Sequence, residues 1–305
     1  MVPEDDNETT PETFLLTGLS SQPLMRKVLF VVFLFLYLMT LIGNGLIVLL
    51  IVADPHLLTP MYFFIGNLSL LDICYTTSTV PQMLALSFTD RPTISNARCF
   101  AQMCISLFLG TTECILLAAM AYDRFVAICM PLHYTLIMNR RLCGCLAVSS
   151  WVLASLLTLV PSFTMKIKLC GHNVINHFAC EVQAVVKLAC SDISAEISVF
   201  TLLVPFAFIL LTYVCISLAV LRIRSAQRWS KALSTCGSHL TVVGIFYGTA
   251  MAMYLRSPGR SSNQDKFVAV FYAMVTPMLN PLIYSLRNKD VKGALWRVMG
   301  RKIDP

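Results

Sequence analysis

The sequence has few charged residues, and this argues against an ordinary soluble domain. Asp, Glu, Lys and Arg make up 13% of the 305 residues, and apolar types make up 57%. A typical soluble domain carries about 25% charged residues. One soluble domain of this length does not need so much apolar surface, so the excess indicates a chain whose helices contact lipid.

The sequence also lacks the motifs of common enzyme classes. It contains no Gly-rich phosphate-binding loop, no G-x-S-x-G and no H-E-x-x-H. The net charge of +7 lies mainly in segments expected at the inner membrane face, so we do not interpret it as a nucleic-acid-binding patch. Residues 1–26 have no basic start followed by an apolar stretch, and we expect no cleaved signal peptide. These absences predict a membrane protein that is neither an enzyme nor a nucleic-acid binder.

Apolar stretches long enough to cross a membrane recur along the chain. A spanning helix needs about 20 residues, and lipid favours helices because each segment must satisfy its own backbone polar groups. The connections are short apart from 164–194, which predicts a single domain over 1–305: an all-α seven-helix bundle (27–286) between an outer segment (1–26) and a cytoplasmic tail (287–305). The predicted spans, numbered 1 to 7, lie near 28–52, 58–86, 98–128, 142–163, 195–221, 232–255 and 267–286.

The distribution of basic residues predicts the orientation. Lys and Arg are more frequent in the segments that lie inside when the N-terminus is outside. We therefore expect a multi-pass plasma-membrane protein, with Asn7 as a glycosylation site on the outer side. Residues 290–302 have apolar side chains at helical spacing. They predict an amphipathic helix on the inner surface, with Lys292 and Arg297 facing anionic headgroups.

Four of the 12 cysteines lie in segments expected outside the cell. They are Cys99, Cys170, Cys180 and Cys190. The others lie mostly in spans or at their inner ends, where cysteine behaves as a small apolar residue. Thiols that face an oxidising compartment predict two disulfides, and the spacing alone leaves three pairings open.

Two carboxylates lie near mid-membrane, Asp72 in span 2 and Glu113 in span 3. Each is about 21 Å from a membrane face at 1.5 Å per residue. Acids at this depth are costly and usually functional. One interpretation is a neutral polar contact between helices with at least one acid protonated. We favour the other, in which both acids share a cation with Asn and Ser oxygens.

A charged pair, Asp123–Arg124, lies where span 3 ends. The arginine could reach the headgroups and anchor the helix, or the pair could be part of a switch. Adjacent residues do not share a helix face, so we expect Asp123 to hold the Arg124 side chain sideways. Tyr213 and Tyr284 are candidate partners for the arginine.

Spans 6 and 7 each carry one polar feature. Pro277 and Pro281 interrupt the hydrogen-bond ladder of span 7, and we expect Asn280 to pair with a carbonyl that they free. His239 is the only histidine within a span. Without a second ligand at metal spacing, it is predicted to form an interhelical hydrogen bond rather than to bind metal.

Taken together, these residues resemble a rhodopsin-like (class A) G protein-coupled receptor, and more narrowly an odorant receptor of the tetrapod type (class II). The receptor-class motifs are Gly43-Asn44, Asp72, Asp123-Arg124, Trp151, Pro205, Tyr213 and Asn280 to Tyr284. The odorant-receptor motifs are Thr59 to Phe64, Met120 to Cys129, Pro131 to Tyr134, Ser234-Thr235-Cys236 with Ser238-His239, and Pro277 to Asn288. The resemblance runs from about Phe14 to Val298.

The resemblance implies roles for these residues. It implies the disulfides Cys99–Cys180 and Cys170–Cys190, and a sodium site at Asp72 and Glu113, with no other cofactor. It also implies a stimulatory, olfactory-type heterotrimeric G protein that raises cAMP as the cytoplasmic partner. The implied switch residues are Asp123, Arg124, Tyr213, His239, Asn280 and Tyr284.

The resemblance also implies an outer-half ligand pocket between spans 3, 5, 6 and 7. No acid lies in span 3 between Cys99 and Gly110, which argues against a charged amine. We expect small, neutral, mostly apolar volatile ligands. Helical spacing places the following residues in the pocket: Met103, Leu107, Thr111, Ile197, Thr201, Tyr247, Met251 and Tyr254.

Two other classes fit the sequence less well. A transporter or channel could use Asp72 and Glu113 as a coupling-ion site, but the internal repeats common in transporters are not evident. A light-driven opsin would need a lysine deep in span 7, whereas Lys266 lies at its outer edge.

Overall fold

The predicted spans are long helices in the computed structural model. It describes residues 12–20, 22–89, 91–164, 173–186, 188, 193–221, 226–254, 263–286 and 289–298, without the side chains of 186, 193–199, 226–235, 254, 263–265, 286, 289 and 290. Within these ranges spans 1 to 6 are the helices Pro23–Ala53, Pro60–Leu86, Asn96–Cys129, Arg140–Thr164, Ile193–Leu221 and Ala226–Tyr254. Span 7 runs through Asn263–Val270, Phe271–Val275 and Thr276–Leu286.

Five of the described helical stretches are long and apolar enough to cross a membrane by length and composition. Spans 2 and 6 have 27 and 29 residues, enough for the same distance. Span 6 begins at Ala226, before the predicted 232, because the good helix formers there continue the helix beyond the apolar stretch. The apolar stretches are Pro23–Ala53, Asn96–Cys129, Arg140–Thr164, Phe200–Leu221 and Lys266–Ser285.

Span 3 lies at the centre of the bundle. In its most apolar window 72% of the residues are buried, against 22% in spans 1 and 5. It packs against spans 2, 4, 5 and 6. Polar side chains on span 3 therefore face other helices more often than lipid, and they need partners there.

Spans 1 and 7 are joined at the prolines of span 7. Pro281 has no N–H, so the Pro277 carbonyl four residues earlier loses its helical partner. Asn44 Nδ2 in span 1 donates to this carbonyl at 3.0 Å. The expectation that Asn280 would do so was wrong, because Asn280 Nδ2 instead donates to Asp72 Oδ2 at 2.9 Å.

A close approach and an irregular turn accompany this contact. A Cβ added at Gly43 would lie 3.1 Å from Pro281 Cγ, so the absence of a side chain lets the two helices meet. Outward from the prolines, Phe271–Val275 forms a π-helical segment. Such segments interrupt regular helix packing and often mark functional sites.

A small sheet covers the outer end of the bundle, which the sequence analysis did not predict. Strand β1 (Thr13–Leu16) pairs antiparallel with β2 (Thr93–Ser95) and parallel with β3 (Val174–Ile175). Phe14 and Leu16 point inward and are buried. The N-terminal segment is therefore tied to both of the first two outer loops.

The disulfide between Cys99 and Cys180 is confirmed, and it joins span 3 to the second outer loop. Cys170 and Cys190, the second predicted pair, lie outside the described residues, and so does Asn7. The assignment of those three residues therefore stays a prediction.

The predicted amphipathic helix is also present, as Lys289–Val298. Val291 and Ala294 are buried against the bundle. Arg297 does not face headgroups as expected, because its Nε donates to Asp54 Oδ2 at 2.9 Å. The His56 backbone N–H and then the Arg297 guanidinium lower the pKa of Asp54 to about 2. The tail helix is thus tied to the first inner loop.

Candidate functional site

A cavity lies in the outer half of the bundle, beneath the second outer loop. Its volume is about 70 Å³, and a water molecule needs about 10–15 Å³ measured in this way. The cavity therefore holds a molecule of about five non-hydrogen atoms without movement of its walls. Span 3 contributes Ser106, Leu107, Gly110 and Thr111 to the wall.

Aromatic rings form much of the opposite wall. The Tyr75 and Tyr272 rings meet edge to face at 5.5 Å, and Phe246 packs on Tyr272 at 5.6 Å. A Cβ added at Gly110 would lie 3.0 Å from the Tyr272 hydroxyl. Spans 3 and 7 therefore touch at the cavity, and the wall is apolar with a few hydroxyl groups.

The second outer loop adds one carboxyl group to this wall, that of Glu181. The side chain is 14% exposed, and its Oε2 lies 3.9 Å from His177 Nε2, too far for a hydrogen bond. Oε1 is buried and has no hydrogen-bond partner among the described residues. Burial raises the pKa of Glu181 to about 7.

The two mid-membrane acids come together below this cavity. Asp72 and Glu113 are buried and close enough to interact electrostatically. Each has an oxygen atom without a hydrogen-bond partner among the described residues, as do the Asn44 and Asn280 amides. Buried oxygen atoms that accept no hydrogen bond are the kind of ligand that a hard cation prefers.

Asp123 and Arg124 form a buried pair at the inner end of span 3. Arg124 Nε donates to Asp123 Oδ2 at 3.0 Å, and its terminal nitrogen donates to the same oxygen. The Tyr134 hydroxyl donates to Asp123 Oδ1 at 2.8 Å. Arg124 is 6% exposed, so it is held sideways within the protein, as expected, and does not extend to the headgroups as an anchor would.

His239 joins three helices next to this pair. A carbonyl can only accept, so Nε2 donates to Leu117 O at 3.1 Å. In the neutral ring Nδ1 then accepts the Tyr213 hydroxyl at 2.7 Å. The prediction of an interhelical hydrogen bond is confirmed. Neither predicted tyrosine pairs with Arg124, because Tyr213 bonds His239 and the Tyr284 hydroxyl has no partner among the described residues.

Comparison with known proteins decides the family. The profile described as "Olfactory receptor" matches residues 33–302 of the chain. The chain belongs to the olfactory receptor family. Human olfactory receptor 13H1 is 52% identical over 301 residues, covering 96% of this chain and 98% of that protein. Human olfactory receptor 2B2 is 51% identical over 305 residues (97% and 85%), and mouse olfactory receptor 2C1 is 48% identical over 307 residues (98% and 98%).

Family membership establishes the general class. The chain is a rhodopsin-like G protein-coupled receptor with a seven-helix bundle, and it is a multi-pass protein of the plasma membrane. Olfactory receptors are not enzymes, so this one is not an enzyme either.

Three predicted pocket residues lie in the cavity wall of this olfactory receptor, namely Leu107, Thr111 and Thr201. Met103 is buried instead in the small core beneath the outer sheet. The side chains of Ile197 and Tyr254 lie outside the part of the chain that the structure describes.

The wall from span 6 differs from the prediction by one residue. Among the described side chains it consists of Phe246, Ala250 and Met253, whereas we expected Tyr247 and Met251. One residue corresponds to about 100° around a helix. Tyr247 turns toward spans 3 and 5, where its hydroxyl donates to Cys114 O at 3.5 Å and its ring packs on Phe206 at 4.8 Å.

Sequence reasoning missed Glu181 because a loop residue belongs to no helical face. The one available signal was its position directly after Cys180, whose disulfide ties the loop to span 3.

Proposed function

We propose that this olfactory receptor binds small, mostly apolar volatile molecules in the outer cavity and then activates a stimulatory, olfactory-type G protein that raises cAMP. The observation that carries the proposal is the arrangement along span 3. Leu107 and Thr111 lie in the cavity wall, and Asp123 and Arg124 are buried at the inner end of the same helix. One central helix thus connects a ligand-sized cavity with a restrained charged pair.

Span 7 supplies an element that a ligand could shift. Tyr272 belongs both to the cavity wall and to the π-helical segment Phe271–Val275. A ligand changes the population of two arrangements only if it binds one of them more tightly. A ligand that contacts Tyr272 would bind the two arrangements with different affinity if the π-helical turn tightens to an α-helical one in one of them.

A sodium ion at the mid-membrane acids is the second part of the proposal. Asp72 and Glu113 would supply the carboxylate oxygens, and Asn44 and Asn280 have amide oxygens without partners among the described residues. A bound cation offsets the repulsion between two buried carboxylates. With the ion bound, Asp72 and Glu113 would stay close together, and the arrangement described here would be favoured over one in which they separate.

The test is a cell cAMP assay over a panel of volatile compounds, with surface expression measured by antibody staining. Arg124→Ala is expected to reach the surface and to remain silent toward ligands that activate the wild type. Arg141→Ala is the matched control, because Arg141 is an exposed arginine at the inner end of span 4. A normal response of Arg124→Ala, or a wild type at the surface that no compound activates, contradicts the proposal.

A further inference from the structure

The carboxyl group of Glu181 is the one acidic side chain in the described wall of the outer cavity. The expectation of neutral ligands considered span 3 only, and no acid is present there between Cys99 and Gly110. The acid that lines the cavity comes from the loop above. Its chemistry therefore bears directly on which ligands the cavity accepts.

Glu181 is held in place by its neighbours. The Cys99–Cys180 disulfide fixes the preceding residue to span 3, and the Cys180 N–H donates to Gln102 Oε1 at 2.9 Å. The Glu181 carbonyl accepts from the N–H groups of Ala184 and Val185, both at 3.0 Å. With its backbone fixed on both sides, the residue presents its side chain to the cavity at a defined position.

Among the described residues the carboxyl group has no hydrogen bond, and its nearest partner is the His177 ring in the same loop. Buried polar groups are nearly always hydrogen-bonded, and one left unsatisfied destabilises the folded state. Oε1 has no such partner among the described residues, and the contact of Oε2 with His177 is 3.9 Å long. Glu181 lines the cavity and its side chain is 14% exposed. The last side-chain torsion of a glutamate is soft, so a small rotation of the carboxyl group would turn an oxygen without a hydrogen bond toward a ligand.

We propose that Glu181 is the polar recognition group of this cavity and that it selects small apolar ligands with one O–H or N–H donor, aliphatic amines above all. A carboxyl group keeps an acceptor oxygen in both protonation states, so a donor on the ligand fits either one. An ammonium group on the ligand would bind more tightly than a hydroxyl group, because a charge-assisted hydrogen bond is about twice as strong as a neutral one. The inference rests on the proposed function, since it assigns the ligand class of the same cavity.

The test compares four ligands of about five non-hydrogen atoms, matched to the cavity. These are 1-aminobutane, 1-butanol, its donor-free isomer diethyl ether, and pentane. The cAMP response of the wild type is expected at the lowest concentrations for the amine and the alcohol. A wild type that responds equally well to the ether or to pentane overturns the inference and leaves the proposed function standing.

Two substitutions separate recognition from a structural role. Glu181→Leu removes both oxygens and is expected to raise the half-maximal concentrations of amine and alcohol by about 10–100-fold, with little change for ether and pentane. Glu181→Gln keeps one acceptor oxygen without the charge, and is expected to retain the alcohol response and weaken the amine response. If Glu181→Leu fails to reach the surface, the isosteric Glu181→Gln still decides the question.

Glu12→Leu and Glu12→Gln are the matched controls, because Glu12 is exposed on the outer face. Both are expected to respond to all four ligands as the wild type does. An equal loss toward all four ligands in Glu181→Gln at normal surface expression would indicate a structural role and overturn the inference. A wild type at the surface that no volatile compound activates would instead contradict the proposed function.

Discussion

Asp123 has three hydrogen-bond donors around its carboxylate, and all come from two side chains. Two are nitrogens of Arg124 and the third is the Tyr134 hydroxyl. Asp123 is fully buried, so each lost donor leaves part of the charge unsatisfied. The position of Arg124 therefore depends on a residue in the loop after span 3, outside the charged pair itself.

Removing the Tyr134 hydroxyl should loosen this arrangement. Hydrogen bonds to charged groups contribute about 1.5–3 kcal/mol, which shifts a two-state equilibrium by about 10–150-fold. Tyr134→Phe is therefore expected to raise ligand-independent cAMP by about 10-fold or more. Tyr122→Phe is the control, since Tyr122 is a half-buried tyrosine next to the pair whose ring packs on Phe125. An unchanged basal level at normal surface expression would show that Tyr134 does not restrain the pair.

At the scale of helices, the contact between spans 1 and 7 depends on two adjacent residues. Asn44 satisfies the Pro277 carbonyl, and Gly43 lets the helices come close enough for that hydrogen bond. Gly45, two positions along, faces open space, where an added Cβ would meet nothing within 4 Å. Alanine changes the helix propensity equally at the two glycines. A difference in stability between the two variants therefore measures the packing contact at Gly43.

Gly43→Ala is expected to destabilise the receptor, and Gly45→Ala is not. An added methyl in a packed contact costs about 1–3 kcal/mol, whereas glycine to alanine inside a helix gains about 1 kcal/mol. The measurement is thermal inactivation of detergent-solubilised receptor, with surface expression as a second readout. Equal stability of the two variants would mean that spans 1 and 7 can separate at no cost.

Over the whole molecule, the outer end is closed by parts distant in sequence. The N-terminal strand pairs with two loops, and Lys266 Nζ at the start of span 7 donates to Gly18 O at 2.7 Å. The Cys99–Cys180 disulfide joins residues 81 positions apart. The disulfide and the sheet hold the second outer loop, including Glu181, over the cavity.

Loss of the disulfide should free the second outer loop from span 3 and destabilise the outer end of the receptor. Removing a native disulfide typically costs about 2–5 kcal/mol, so Cys180→Ser is expected to reduce surface expression and lower the thermal inactivation temperature. Cys99→Ser and the double variant should match it, because all three lose the same bond. Cys74→Ser, at an exposed free cysteine of span 2, is the control. Additive losses in the double variant would show that the thiols act separately.

The apolar stretches and the polar residues within them determined much by themselves. They set the positions of the helices and the family. Lipid leaves little choice about backbone structure, so local sequence sufficed for these. The Asp123–Arg124 contact also followed, since neighbouring residues meet without help from the fold.

Only the tertiary structure decided which side chains meet across helices and loops. It rotated span 6 by one residue, so that Phe246 lines the cavity in place of Tyr247. It paired Asn44 rather than Asn280 with the freed carbonyl, and it brought Glu181 to the cavity from a loop. The physical reason is that the rotation of a helix and the position of a loop depend on contacts with residues distant in sequence. The local periodicity of the sequence does not report such contacts.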